Sequence, residues 1–99
     1  MLIIREVFTA KPGQASKLAK LFKKGFNDPK VRVMTDLVGR YNSVVIEMEA
    51  QNLAEFEKQM QEYKSGKPHP EMDPEAAQEM SKYTEMYQSG HREIFEVLE

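Results

Sequence analysis

The order in which patterns follow one another constrains this chain more than any single motif. Leu2 to Ala10 is rich in Ile, Val, Phe and Thr and runs straight into Lys11-Pro12-Gly13, so it reads as a strand stopped by a breaker. Ala15, Leu18, Ala19, Phe22 and Phe26 then recur at the spacing of one helical face, with Lys17, Lys20, Lys23 and Lys24 away from it, until Asn27-Asp28-Pro29 ends the helix. Val31, Val33, Thr35 and Leu37 alternate with Arg32, Met34, Asp36 and Val38, the period of a strand, up to Gly39. After Arg40-Tyr41-Asn42 the alternation resumes over Ser43 to Ala50, with Val44, Ile46 and Met48 on one side and Val45, Glu47 and Glu49 on the other. Residues 39–42 therefore join two antiparallel strands as a hairpin.

A second helix opens at Asn52, whose side chain can cap it while Glu55 reaches back to free backbone N–H groups. Leu53, Phe56, Met60 and Tyr63 are its expected buried stripe. Ser65-Gly66-Lys67-Pro68-His69-Pro70 breaks regular structure, and residues 66–73 are expected to cross the surface as a linker. Asp73-Pro74-Glu75 has the form of an N-cap, a first-turn proline and a first-turn acid. It starts a third helix with Ala76, Ala77, Met80, Tyr83 and Tyr87 on one face, closed by Ser89-Gly90 before a last strand from His91 to Leu98.

The resulting order is βαββαβ with an extra helix before the last strand. It predicts an α+β, ferredoxin-like plait in which the first and last strands lie side by side. The chain has 99 residues, enough for a single domain over 1–99 and too few for a second core. Helices on one side cover only one face of the sheet, yet Ile3 with Ile4, Val7 with Phe8, Val44 with Val45 and Ile94 with Phe95 place apolar residues on both parities. Burying the second face against a second copy, as a sheet-to-sheet homodimer, resolves this.

Composition excludes several classes. The balance of 14 Lys+Arg against 16 Asp+Glu gives a net charge of −2, with no global field for nucleic acid or anionic lipid. With no Cys there is no disulfide framework, thiolate metal site or thiol nucleophile. Met1 to Val7 contains Arg5 and Glu6 and no long apolar run, and no stretch is long enough to span a bilayer, so a cytoplasmic protein is expected.

Two segments carry a family likeness: Arg5-Glu6-Val7-Phe8-Thr9-Ala10-Lys11-Pro12-Gly13 leading into a helix, and Gly39-Arg40-Tyr41-Asn42-Ser43-Val44-Val45 followed by Leu53-Ala54-Glu55-Phe56-Glu57. On these the chain resembles the dimeric α/β-barrel superfamily, and within it the NIPSNAP-like and antibiotic-monooxygenase-like small proteins. The resemblance implies two plaits meeting face to face around a barrel that holds a small hydrophobic or aromatic ligand. It also implies that a cofactor-independent monooxygenase or isomerase is one possible activity, and a non-enzymatic accessory or regulatory dimerisation module without a cavity is the alternative. The haem-degrading members use a Trp with Asn and His, and this chain has no Trp, so that activity is not expected. No cofactor is implied, and beyond Tyr63 the chain matches no branch.

Candidate site residues follow from strand charges and the two imidazoles. Arg5, Arg32, Asp36 and Glu47 sit inside expected strands, where a charge needs a partner or a wet cavity. Arg5 with Glu47 is expected as a cross-strand pair, forming either the polar floor of a ligand site or an ion pair at the sheet rim, the latter worth about 0–1 kcal/mol. Tyr41 and Asn42 either orient a ligand at the barrel mouth or shape the hairpin, with Asn in a left-handed turn. His91 is the candidate general base if it faces the barrel, and otherwise a strand-end residue. His69 with Glu71 and Asp73 lacks metal-ligand spacing, so it is read as an exposed loop residue and no metal site is expected. Met72, Met80 and Met86 serve either as an adaptable pocket wall or as core filler, and the lysines of the first helix as a solvated face or an anionic-partner surface.

Overall fold

Apolar residues at alternate positions of four extended segments pair into one antiparallel sheet, and the helices close over one side of it. In the computed structural model residues 1–26, 28–64 and 82–98 are described, the side chains of 62–64 excepted. The elements are β1 (Leu2–Ala10), α1 (Ala15–Gly25), β2 (Arg32–Thr35), β3 (Ser43–Ala50), α2 (Leu53–Lys64), a 3₁₀ turn (Tyr83–Glu85) and β4 (Tyr87–Glu96). The strand order is β2-β3-β1-β4, so the first strand lies centrally between the third and the last, as a ferredoxin-like plait requires. Register aligns Arg5 with Glu47 on β3 and with Glu93 on β4, and Arg32 of β2 with Glu47.

One face holds the core. Ile4 and Ala10 of β1, Val44, Ile46 and Ala50 of β3, and Leu18, Leu21 and Phe22 of α1 are buried. Phe8 points the same way and packs its ring on Phe22 at 5.1 Å and on Tyr87 at 5.0 Å, while Tyr83 stacks on Tyr87 at 5.7 Å. The helical stripe of α1 is as its spacing predicts, with Leu21 added, and Lys17, Lys20, Lys23 and Lys24 are exposed. Since alternate strand residues face opposite ways, the other face of the sheet carries Ile3, Arg5, Val7 and Thr9 of β1 and their partners Glu49, Glu47, Val45 and Ser43.

The N-terminus of α2 is built as its residues dictate: the Glu55 N–H donates to Asn52 Oδ1 at 2.9 Å, and Glu55 Oε2 accepts from the Gln51 N–H at 2.9 Å. The expected stripe is corrected at Leu53, which is 63% exposed, because the first helical position is oriented by the cap and not by the packed face. Phe56 and Met60 are half-buried and meet Arg92, whose guanidinium lies 5.3 Å from the Phe56 ring centre and 3.7 Å from the Met60 sulfur.

Three further expectations are corrected. β2 ends at Thr35 and not at Val38, because the carboxylate of Asp36 turns the chain by accepting from the N–H groups of Tyr41 (3.1 Å) and Ser43 (2.8 Å), leaving Leu37 and Val38 fully in solvent. Ser89-Gly90 does not close a helix but lies inside β4, where Gly90 faces Phe8. A Cβ at Gly90 would stand 3.2 Å from the Phe8 ring, so the missing side chain is what admits that ring. Tyr83 and Tyr87 do not share a helical face, since Tyr83 is in the 3₁₀ turn and Tyr87 begins β4. The expected linker 66–73, His69, Met72 and the body of the third helix with Ala76, Ala77 and Met80 lie outside the described residues.

Candidate functional site

Local sequence and strand register together assemble a line of charge on the sheet face that no helix among the described residues covers. Arg32, Glu47, Arg5 and Glu93 are successive partners across β2, β3, β1 and β4, so their side chains form one row with alternating sign. Arg5 Nε donates to Glu47 Oε2 at 2.8 Å, and Arg32 Nε approaches Glu47 Oε1 at 3.9 Å. Glu47 thus sits between two guanidinium groups and is only 12% exposed, whereas Arg5 keeps 44% of its side chain in solvent. Arg5 also lies over Phe95, 5.4 Å from its ring centre, which places that ring on the same face.

One step toward the hairpin the partners are Met34, Val45, Val7 and His91. These side chains are short or flexible, and none is aromatic apart from the imidazole. His91 Nε2 is 3.7 Å from Glu93 Oε1, so a carboxylate stands beside the imidazole, and His91 is exposed. The next row adds the hydroxyls of Thr9, Ser43 and Ser89.

Arg5, Glu47 and His91 are therefore brought together on one face, with Arg32 alongside. Tyr41 and Asn42 are not part of that cluster. Both adopt left-handed backbone, φ 63° and φ 58°, at the exposed tip of the β2–β3 connection, as a turn-shaping role requires. Asp36, grouped with the strand charges by sequence, instead organises this tip.

Sequence reasoning missed Glu93 as a member of the row and Phe95 as the neighbouring ring opposite Ile3, although both follow once β4 is registered on β1. It also missed a second ion pair: Arg92 Nε donates to Glu6 Oε1 on the helix side, beneath Phe56 and Met60 of α2. The available signal was opposite charge on the alternate parity of the same two strands. Beside this pair a shallow groove of about 310 Å³ is lined by Phe8, Tyr83, Tyr87, Gly90 and His91. Among the described residues no cluster of His, Asp and Glu has the geometry to hold a metal ion, and no helix is long and apolar enough to cross a membrane.

No family model matches the sequence, and no curated protein matches it either. The fold does have solved counterparts. An uncharacterised NIPSNAP domain protein from Burkholderia xenovorans superposes with a TM-score of 0.74 at 14% identity, over 99% of this chain and 95% of that one. A NIPSNAP family protein from Agrobacterium tumefaciens strain C58 gives 0.71 at 9% identity, over 95% of this chain and 82% of its own. Another A. tumefaciens protein gives 0.66 at 12% identity, over 97% and 92%. At such identities the likeness establishes the fold of the single chain alone, and that plait is the one the sequence resemblance implied for each subunit.

Proposed function

We propose that the chain works as a homodimer in which two uncovered sheet faces close on each other and hold a small hydrophobic or aromatic molecule at the hairpin end of the enclosed space. The observation that carries this is the difference in reach between neighbouring rows. Arg32, Glu47, Arg5 and Glu93 are long, while Val7 and Val45 in the adjoining row are short, so faces touching at the charges keep a gap above the valines. Of the two bulky rings that could close such a gap, Phe8 points into the core, and Phe95, although on this face, stands beside Ile3 under the Arg5 guanidinium and not in the row of the valines. The apolar surface of Ile3, Val7, Met34, Val45 and Phe95, none of it buried in a single chain, supplies the drive for association at roughly 25 cal/mol per Å² removed from water.

Within that space the charged row forms a polar floor, Thr9, Ser43 and Ser89 form a hydroxyl rim, and the tip bearing Tyr41 and Asn42 lies near the mouth. His91, with Glu93 beside it, is the group suited to take a proton from a bound ligand, which fits an isomerase or a cofactor-independent monooxygenase. The alternative, a dimerisation module with no ligand, draws on the same row, since Arg5 already satisfies Glu47 and covers Phe95.

Titration with an aromatic fluorescent probe such as anilinonaphthalene sulfonate separates the two. Saturable binding is expected, weakened by Arg5→Ala and by His91→Ala more than by Lys20→Ala, and abolished by Val45→Phe with dimerisation retained. Absence of saturable binding, or equal loss from all three alanine variants, assigns the protein to the module class.

A further inference from the structure

The charged row has a symmetry property of its own. Read from β2 to β4 it runs Arg32, Glu47, Arg5, Glu93, and read in reverse with every sign exchanged it is the same series. Such a row is complementary to a copy of itself turned about an axis parallel to the strands and passing between β3 and β1. About an axis running across the strands it meets itself like on like. Resting on the homodimer proposed above, we infer that the partner of this face is a second copy in one orientation only, with Arg32 opposite the partner's Glu93 and Glu47 opposite the partner's Arg5.

Four features converge on this orientation. Arg32, Arg5 and Glu93 keep 69%, 44% and 41% of their side chains exposed, so each has surface left to offer a partner. Like-charge juxtaposition at an interface is strongly disfavoured, whereas complementary potentials fix register and exclude wrong partners. The aligned stacking that twisted sheets favour, about 30° between strand directions, excludes an axis oblique to the strands and leaves the choice between the axes along and across them to the charges and the apolar row. Finally, rotation about the axis along the strands brings Val45 opposite the partner's Val7, so the apolar row meets an apolar row.

The outer pair provides a clean test, because Arg32 and Glu93 lie on opposite edge strands and do not contact each other within one chain. Arg32→Glu and Glu93→Arg are made singly, mixed in equal amounts with one of them fluorescently labelled, and combined in one chain, with sedimentation velocity as the readout. Each single variant is expected to self-associate at least tenfold more weakly than wild type, with the defect relieved in 1 M salt. The mixture and the combined variant are both expected to regain dimers near wild-type affinity, and the combined variant also shows that the substituted chain still folds. If the wild type is a dimer but the single variants match it, or if the mixture binds more tightly than wild type, the orientation is overturned while the dimer stands. A wild type that stays monomeric at tens of micromolar overturns the homodimer itself.

Discussion

The two faces of this sheet are made from alternate residues of the same strands, yet they are held by different physics. On the helix side Ile4, Val44, Ile46 and Phe22 exclude water and the aromatic rings of Phe8, Tyr83 and Tyr87 interlock, so position is set by shape. On the other side valines alternate with a line of guanidinium and carboxylate groups, so position is set by sign. A shape-defined face is complete within one chain. A sign-defined face with half-exposed apolar neighbours has unused specificity, which a partner can read.

This contrast can be broken most severely on the helix side. Phe22→Ala is expected to cost about 3–5 kcal/mol through the cavity it leaves, lowering the unfolding midpoint by more than about 10 °C. Gly90→Val should follow at about 1–3 kcal/mol, since its side chain must displace the Phe8 ring that now stands where a Cβ would be. The free-energy losses are to be read by chemical denaturation and the temperature shift by thermal unfolding. A midpoint unchanged by Gly90→Val would mean that the Phe8 ring is not held where the packing places it.

On the uncovered face the expected signature is reversed. Val45→Glu should weaken self-association at least tenfold, about 1.4 kcal/mol, while the low-concentration unfolding curve stays cooperative. If it instead unfolds the monomer, that face belongs to the core and the contrast fails. The smallest effect belongs to Lys20→Ala on the outer surface of α1, within about 0.5 kcal/mol in unfolding and none in association.

What the sequence made legible was whatever depends on near neighbours. The strand periods, the stripe of α1, the Asn52–Glu55 cap and the pairing of Arg5 with Glu47 are all written in local spacing or in the plait's strand order. What stayed hidden depends on contacts distant in sequence. Ser89-Gly90 has the composition of a helix stop, and only the Phe8 ring, more than eighty residues earlier, makes a strand glycine favourable there. Leu37 and Val38 continue the alternation of β2 but are turned out by the Asp36 carboxylate, a side chain-to-backbone interaction that hydrophobic period does not register. For the candidate site, Arg5, Glu47 and His91 were readable as strand charges and an imidazole. Glu93 and the Glu6–Arg92 pair needed the register of β4, which was expected to begin four residues later than it does.

The strand order also sets a timetable. β1 is central, with β3 on one edge and β4 on the other, and its pairing with β4 joins Leu2 to Glu96. As the chain is synthesised, β1 can pair with β3 once residue 50 is free, but its second edge has no partner until the segment from Tyr87 onward emerges. Through that interval a strand containing Ile3, Ile4, Val7 and Phe8 presents open hydrogen-bonding groups to its surroundings, the condition under which strands join the wrong neighbour. Arg5 and Glu6, placed side by side in the middle of that strand, interrupt its apolar run throughout the wait and later become the two residues that pair it, on opposite faces, to the strands on either side.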